Sequence, residues 1–294
     1  MPASTLDAPW PGIAWDDPWY QPWRDLGEPA YARVAQGQAV WQALAAGPSS
    51  PVGFVSQQSL PEGVAYERFI FEARQVPTRE GLHDFFNGLS WQAFPLTKLR
   101  LNALQAAEIA RDGVGAVRGP VRDAITVFDE NGALLQAPPA LWEALRARQW
   151  QRLFVTLRPL WRQARLLVFG HALLEKLVSP RKDMTAHVWC ANAPLGIAPA
   201  SGQMSSHMTG RQAADAWLAQ ACSAEALQAK PFTPLPLLGL PGWWSANEDP
   251  AFYRDDRVFR PPRGGDPRAS ADAGPGARQV PPMPQAVPGG KSSS

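Results

Sequence analysis

The sequence predicts an α+β fold: a predominantly helical single domain with a small antiparallel sheet and an extended C-terminal strap. Three observations predict it. Apolar residues recur at helical spacing through 82–107. The stretch RDAITVFDENGALLQ at 122–136 alternates apolar and polar residues and contains Asn131-Gly132, the dipeptide suited to a type I′ turn, so a hairpin is expected there. The stretch 231–260 is too rich in proline for regular structure and too apolar for a solvated linker.

Residues 1–21 form a Pro- and Trp-rich arm, which Trp10, Trp15, Trp19 and Trp23 would pin to the domain by buried area. A helix follows over about 24–46, ended by the loop Gly47-Pro48-Ser49-Ser50-Pro51. The segment 66–76 reads either as a strand, with Phe69 and Phe71 alternating, or as a short helix. Thr78 is the expected N-cap of a helix whose stripe is Leu82, Phe85, Phe86 and Leu89. Pro95 opens a second helix, with Leu96, Leu99, Ala103 and Ala107 as its buried line. Pro138-Pro139 opens another, running to about residue 148.

Two readings stand for 159–178. The spacing of Leu160, Ala164, Leu167, Val168, His171 and Leu174 favours one long helix; the alternative is a buried strand at 166–169 that turns at Gly170 into a short helix, HALLEKL. A strand at 185–190 and a helix at 211–228, broken near Ser223, come next. The strap over 231–260 packs through Leu237, Leu238, Trp243, Trp244, Phe252, Tyr253 and Phe259. Residues 22–260 therefore make up the globular domain. From 261 to 294 the composition falls to Pro, Gly, Ala, Arg and Ser, and the tail is expected to be disordered.

The totals exclude some functions. With 28 basic and 26 acidic side chains the net charge is only +2, which offers no global attraction to nucleic acid or an anionic membrane. No apolar run approaches the roughly 20 residues that span a bilayer. The N-terminus has neither a basic start nor an apolar run, and Cys190 and Cys222 have no redox or metal spacing, so a cytoplasmic protein is expected.

The chemistry-bearing residues cluster. His83 and Asn87 are one helical turn apart, with Asp84 beside them; Lys98, Asn102 and Gln105 form a polar line on the second helix. If the two helices pack side by side, these groups converge. His171 and Glu175 are four apart and, on a helix, form a pair of metal ligands. Asp129 and Glu130 read as turn composition beside Asn-Gly.

Four blocks carry a resemblance: HDFFNGLSWQAFPLTKLRLN at 83–102, RDAITVFDENG at 122–132, FGHALLEK at 169–176 and the closing PLPLLGLPGWWSANEDPAFYRDDRVFRP. Over about 55–261 the chain is similar to the proteobacterial family "domain of unknown function 3025". The resemblance implies no mechanism, but it adds Arg122, Asp123 and Lys176 to the recurring polar positions. Gly88 stands where alanine is expected, a departure that would loosen the first helix.

Three functional readings follow. In a metal-assisted hydrolase, His171 and Glu175 hold a divalent ion with His83, Asp84 and Asp123 completing the shell. In a metal-free site, His83 is a general base oriented by Asp84 or Asp123, and Lys98, Arg122 or Lys176 holds an anionic group of a small polar metabolite, with Asn87 and Asn102 as further contacts. In a scaffold, the cluster is a structural hydrogen-bond network and the strap or tail docks a protein partner.

Overall fold

The structure, a computed structural model, describes residues 10–113, 119–191 and 210–261. The first nine residues of the arm and the expected tail beyond Pro261 lie outside the described residues. The arm is pinned as its tryptophans suggest. Trp15, Trp19 and Trp23 are buried, and Trp10 lies 5.6 Å from Phe85, ring centre to ring centre. Tyr20 stacks on Phe86 and donates its hydroxyl to the carbonyl of Leu174 at 2.7 Å, so the arm ties together two segments that later carry the site.

The helix expected over 24–46 is two: α1 (Arg24–Ala35) and α2 (Val40–Ala45). Gly37, at φ +91°, takes the left-handed conformation that ends a helix, and the chain turns there. Next come β1 (Gly53–Ser56), α3 (Tyr66–Ala73) and β2 (Gln75–Thr78), with β1 and β2 paired in parallel across α3. The ambiguous 66–76 stretch is thus mostly helix. Thr78 is not a cap. It sits in β2 with its hydroxyl donating to the carbonyl of Val76, and α4 (Leu82–Ala93) starts four residues later.

The helix α5 (Pro95–Asp112) corrects the expected buried line. Leu96 is half exposed and Ala107 is exposed, whereas Lys98, Asn102 and Gln105 are buried beside Leu101. Its polar side faces inward because a polar cavity lies there. The hairpin expected at 122–136 does not form. Residues 120–131 are α6 (Pro120–Asn131), and only β3 (Gly132–Gln136) is strand. Val121, Ala124, Ile125 and Phe128 are buried at i, i+3, i+4, i+7, and this helical period outweighs the apparent alternation.

After α7 (Pro139–Arg146) and a π-helical turn at Arg152–Thr156, the single long helix also fails. The chain forms β4 (Arg165–Val168), turns at Gly170 and enters α8 (His171–Lys176), as in the alternative reading. The strand β5 (Thr185–Cys190) follows, then α9 (Gly210–Ala221) and α10 (Ala224–Gln228), separated by Ser223, whose hydroxyl caps α10. The strap contributes a strand of its own, β6 (Phe232–Pro236). The sheet order is β4-β3-β5-β6. Its outer pairings are antiparallel but β3–β5 is parallel, so the small sheet is mixed. The rest of the strap packs as expected: Leu237, Leu238, Phe252, Tyr253 and Phe259 are buried, and the Asn247 side chain donates to the carbonyls of Leu238 and Leu240. Among the described residues no helix is long and apolar enough to cross a membrane.

Two glycines set close approaches. Leu44 fills the space over Gly88, so a Cβ there would meet Leu44 Cδ1 at 2.3 Å; glycine lets α2 and α4 pack rather than loosening α4. A Cβ at Gly170 would meet the backbone oxygen of Glu130 at 2.4 Å. That contact joins two backbones, with no flexible side chain to yield. Gly170→Ala is therefore expected to cost about 2–3 kcal/mol in denaturant unfolding. The milder Gly88→Ala, which meets only a side chain, is expected to cost less in the same assay.

Candidate functional site

Gly170 sets the site. Its amide, with that of Phe169, bonds to the carbonyl of Gly132, which holds the start of α8 against the end of α6. His171 therefore lies beside Asp129, with Nδ1 3.7 Å from Oδ2. Helix α4 packs along α8 and brings in His83. The two rings meet edge to face, and their Nε2 atoms are 3.2 Å apart. On the far side of His83, Nδ1 is 2.9 Å from Glu175 Oε2.

The protons follow from this geometry. A carboxylate only accepts, so His83 Nδ1 donates to Glu175. In a neutral pair His83 Nε2 then carries a lone pair, and His171 Nε2–H must donate to it. His171 Nδ1 is left unprotonated and buried beside Asp129, whose carboxylate and backbone carbonyl both favour a proton there. Burial pushes the His171 imidazole down to about 4, helped by Lys98 and His83 and opposed by Asp129.

Beneath the pair is a buried ionic floor. Lys98 Nζ bonds both oxygens of Asp129 at 2.7 and 2.8 Å and Asn87 Oδ1 at 3.0 Å, and it lies over the Trp91 ring. Burial works to raise the Asp129 carboxyl, but Lys98 and the two histidines outweigh it and hold it below its ordinary value. Asn87 donates to the Tyr66 hydroxyl, whose titration is pushed well up by burial and by Glu67, Asp84 and Asp129; it remains a neutral phenol. Asp84 accepts from the Arg79 amide at 2.6 Å and from its guanidinium. Asn102 donates to the backbone and carboxylate of Glu67, whose carboxyl is raised chiefly by burial.

These groups surround a cavity of about 530 Å³ between α3, α4, α5 and α6. Of the expected site residues, His83, Asp84, Asn87, Lys98, Arg122 and His171 line it. Asn102 stands one layer behind, holding Glu67. Asp123 does not converge: it points to the outer surface and pairs with Lys230 at 2.7 Å. Lys176 is also outside, bonded to the Asn131 side chain. Glu175 does not form a ligand pair with His171, because its carboxylate is turned to His83. Among the described residues no group of three or more His, Cys, Asp or Glu side chains is arranged to hold a metal ion.

Sequence reasoning missed Asp129, Tyr66, Glu67 and Arg79. Asp129 was readable: it lies seven residues after Arg122 and five after Ala124, on the polar flank of a stripe that starts at Pro120. The model of a family described as "Protein of unknown function (DUF3025)" matches residues 52–263. The chain belongs to this family. The matched span contains every cavity-lining residue named above. No curated protein and no solved structure matches the chain significantly.

The buried imidazole has a consequence for stability. His171 is lowered in the folded state relative to its ordinary 6.5, so between about 6.5 and 4 the unfolded chain binds the extra proton. Stability is therefore full above about 6.5 and is lost as the pH falls toward 4, by up to about 3 kcal/mol from this group. His171→Asn is expected to flatten that slope in urea unfolding across the window. A remnant should persist from His187, which burial also lowers.

Proposed function

We infer that the cavity binds a small polar molecule and that the His83–His171 pair moves a proton to or from it. The supporting observation is the line Glu175–His83–His171–Asp129, in which each imidazole has a carboxylate behind it and the two Nε2 atoms face each other at the cavity wall. A proton added at His171 Nδ1 meets Asp129. Shifting the shared Nε2 proton then moves the charge to His83, where Glu175 faces it. The pair can thus hold a proton at either end. His83, whose side chain is 41 % exposed, is the member that reaches a ligand; His171, at 7 %, is the internal member. With Nδ1 held by Glu175, His83 acts as general acid or base through Nε2, which must exchange its bond from His171 for one to the ligand; His171 is the partner that positions it.

A purely structural network is the second reading, favoured by how fully Asp84, Lys98 and Asn87 are satisfied. Those three groups do hold four helices together, and they are the support on which the histidines rest. Two buried nitrogens at the cavity without a hydrogen bond of good geometry, the acceptor His171 Nδ1 and the donor Arg122 Nε, are what a network alone leaves unexplained.

The readings separate by mutation. Asp129→Asn leaves Lys98 without its counter-charge and is expected to cost about 3–5 kcal/mol. His83→Gln, at a half-exposed site, is expected to change stability by less than about 1 kcal/mol. A thermal-shift screen of small polar metabolites on wild-type protein, with turnover measured for each hit, tests the chemistry. A converted ligand that His83→Gln still binds but converts about 100-fold or more slowly supports the assignment. Undiminished turnover in His83→Gln, or a screen without hits coupled to a large stability loss in His83→Gln, would hand the cluster to the structural reading.

A further inference from the structure

The cavity is longer than the histidine pair requires. Its far end is built by Arg122, and this residue differs from the other cavity-lining cations. Arg79 is held by Asp84, and Lys98 by Asp129. Among the described residues Arg122 has no ion pair and no hydrogen-bonded acceptor, and its Nε is buried. The side chain is partly buried, and a guanidinium that gives up part of its water without an ion pair is suited to an oxyanion that supplies one. Glu67 and Asp112 are near enough to feel its charge, but Glu67 accepts from Asn102 and Asp112 from Arg111.

The position of Arg122 follows from the helices. Lys98, near the start of α5, meets Asp129, near the end of α6, so the two helices run antiparallel at this contact. Seven residues along α5 from Lys98 comes Gln105; seven back along α6 from Asp129 comes Arg122. Both line the cavity, as does Thr126 between Arg122 and the ionic floor. Seven residues are two helical turns, about 10 Å along the axis. Arg122 and Gln105 therefore mark one end of a trough, and Asp129, Glu130 and the histidines mark the other.

We propose, building on the reading of the cavity as a small-molecule site, that its ligand is an elongated molecule with an oxyanion at one end. Arg122 takes the carboxylate or phosphate, and a hydroxyl or amine about 10 Å away reaches His83. Guanidinium recognition of an oxyanion offers two parallel N–H donors, which gives direction as well as affinity. The opposite end, where Glu130 lines the cavity beside His83, presents a carboxylate acceptor and so selects a donor group.

Calorimetry on the full chain tests this, using straight-chain hydroxycarboxylates and hydroxyalkyl phosphates of increasing length, beside uncharged diols and amino alcohols of the same lengths. The expected result is an optimum length in at least one anionic series, lost about tenfold or more in Arg122→Gln and partly restored in Arg122→Lys. The restoration in Lys, with both variants melting near wild type, separates lost charge from lost fold. His83→Gln should retain the preference for an anion. The two anionic series show whether carboxylate or phosphate is the natural group. Anion binding that Arg122→Gln leaves intact overturns the proposal. Binding of diols or amino alcohols in preference to anions also overturns it, while leaving the small-molecule reading in place. A cavity that binds no member of any series removes both.

Discussion

The buried Lys98–Asp129 ion pair is the constraint on which the rest of the site depends. Lys98 comes from the first turn of one helix and Asp129 from the last turn of another. Their contact fixes the level at which α5 and α6 pack. Each charge loses water, and each is repaid in local contacts: Asp129 takes two hydrogen bonds from one ammonium, and Lys98 adds Asn87 and the face of Trp91. A buried ammonium needs polar company, which explains why the inward side of α5 carries Lys98, Asn102 and Gln105 and why a leucine at position 96 is left half exposed. The same carboxylate then sets the electrostatics of His171 next door.

Around this pair the backbone has little freedom. Gly132 accepts two amides from the turn into α8, and Gly170 touches the backbone of Glu130 where no side chain fits. Tyr20, from the N-terminal arm, stacks on Phe86 of α4 and bonds to the end of α8. The two helices that carry His83 and His171 are therefore clamped by a segment far away in sequence. A 3.2 Å contact between two imidazoles needs that kind of support, since either ring could otherwise turn to solvent.

Much of this was legible in the sequence, and the misses have physical causes. The helix pair through 82–107 was legible from helical periodicity and Pro95, the strap from its proline-rich apolar composition, and the strand at 185–190 and the break near Ser223 were expected as found. The convergence of His83 with Asn87 and Lys98 follows from their spacing once α4 and α5 pack; the meeting of His83 with His171 does not, because no helical period links residues 88 apart. Asp129 was hidden by two coincidences: Asn131-Gly132 imitates a hairpin turn, and Ala124, Thr126 and Phe128 imitate a strand. The helical alternative was marked by Pro120 and by Val121, Ala124, Ile125 and Phe128. Asp123 was over-read for the opposite reason: it sits next to Arg122, but one residue on a helix is about 100°, enough to turn it to the outer surface. Glu175 could not be assigned from its spacing to His171, because its partner is His83, 92 residues away.

The central claim is that His83 and His171 share a proton, with a carboxylate behind each. Nitrogen-15 NMR of the imidazole groups across a pH titration tests it most directly. The structure predicts that His83 is protonated at Nδ1 and His171 at Nε2 in the neutral pair, and that His83→Gln shifts the titration of His171. A neutral pair with the opposite tautomers, or a His171 titration unmoved by His83→Gln, would contradict it.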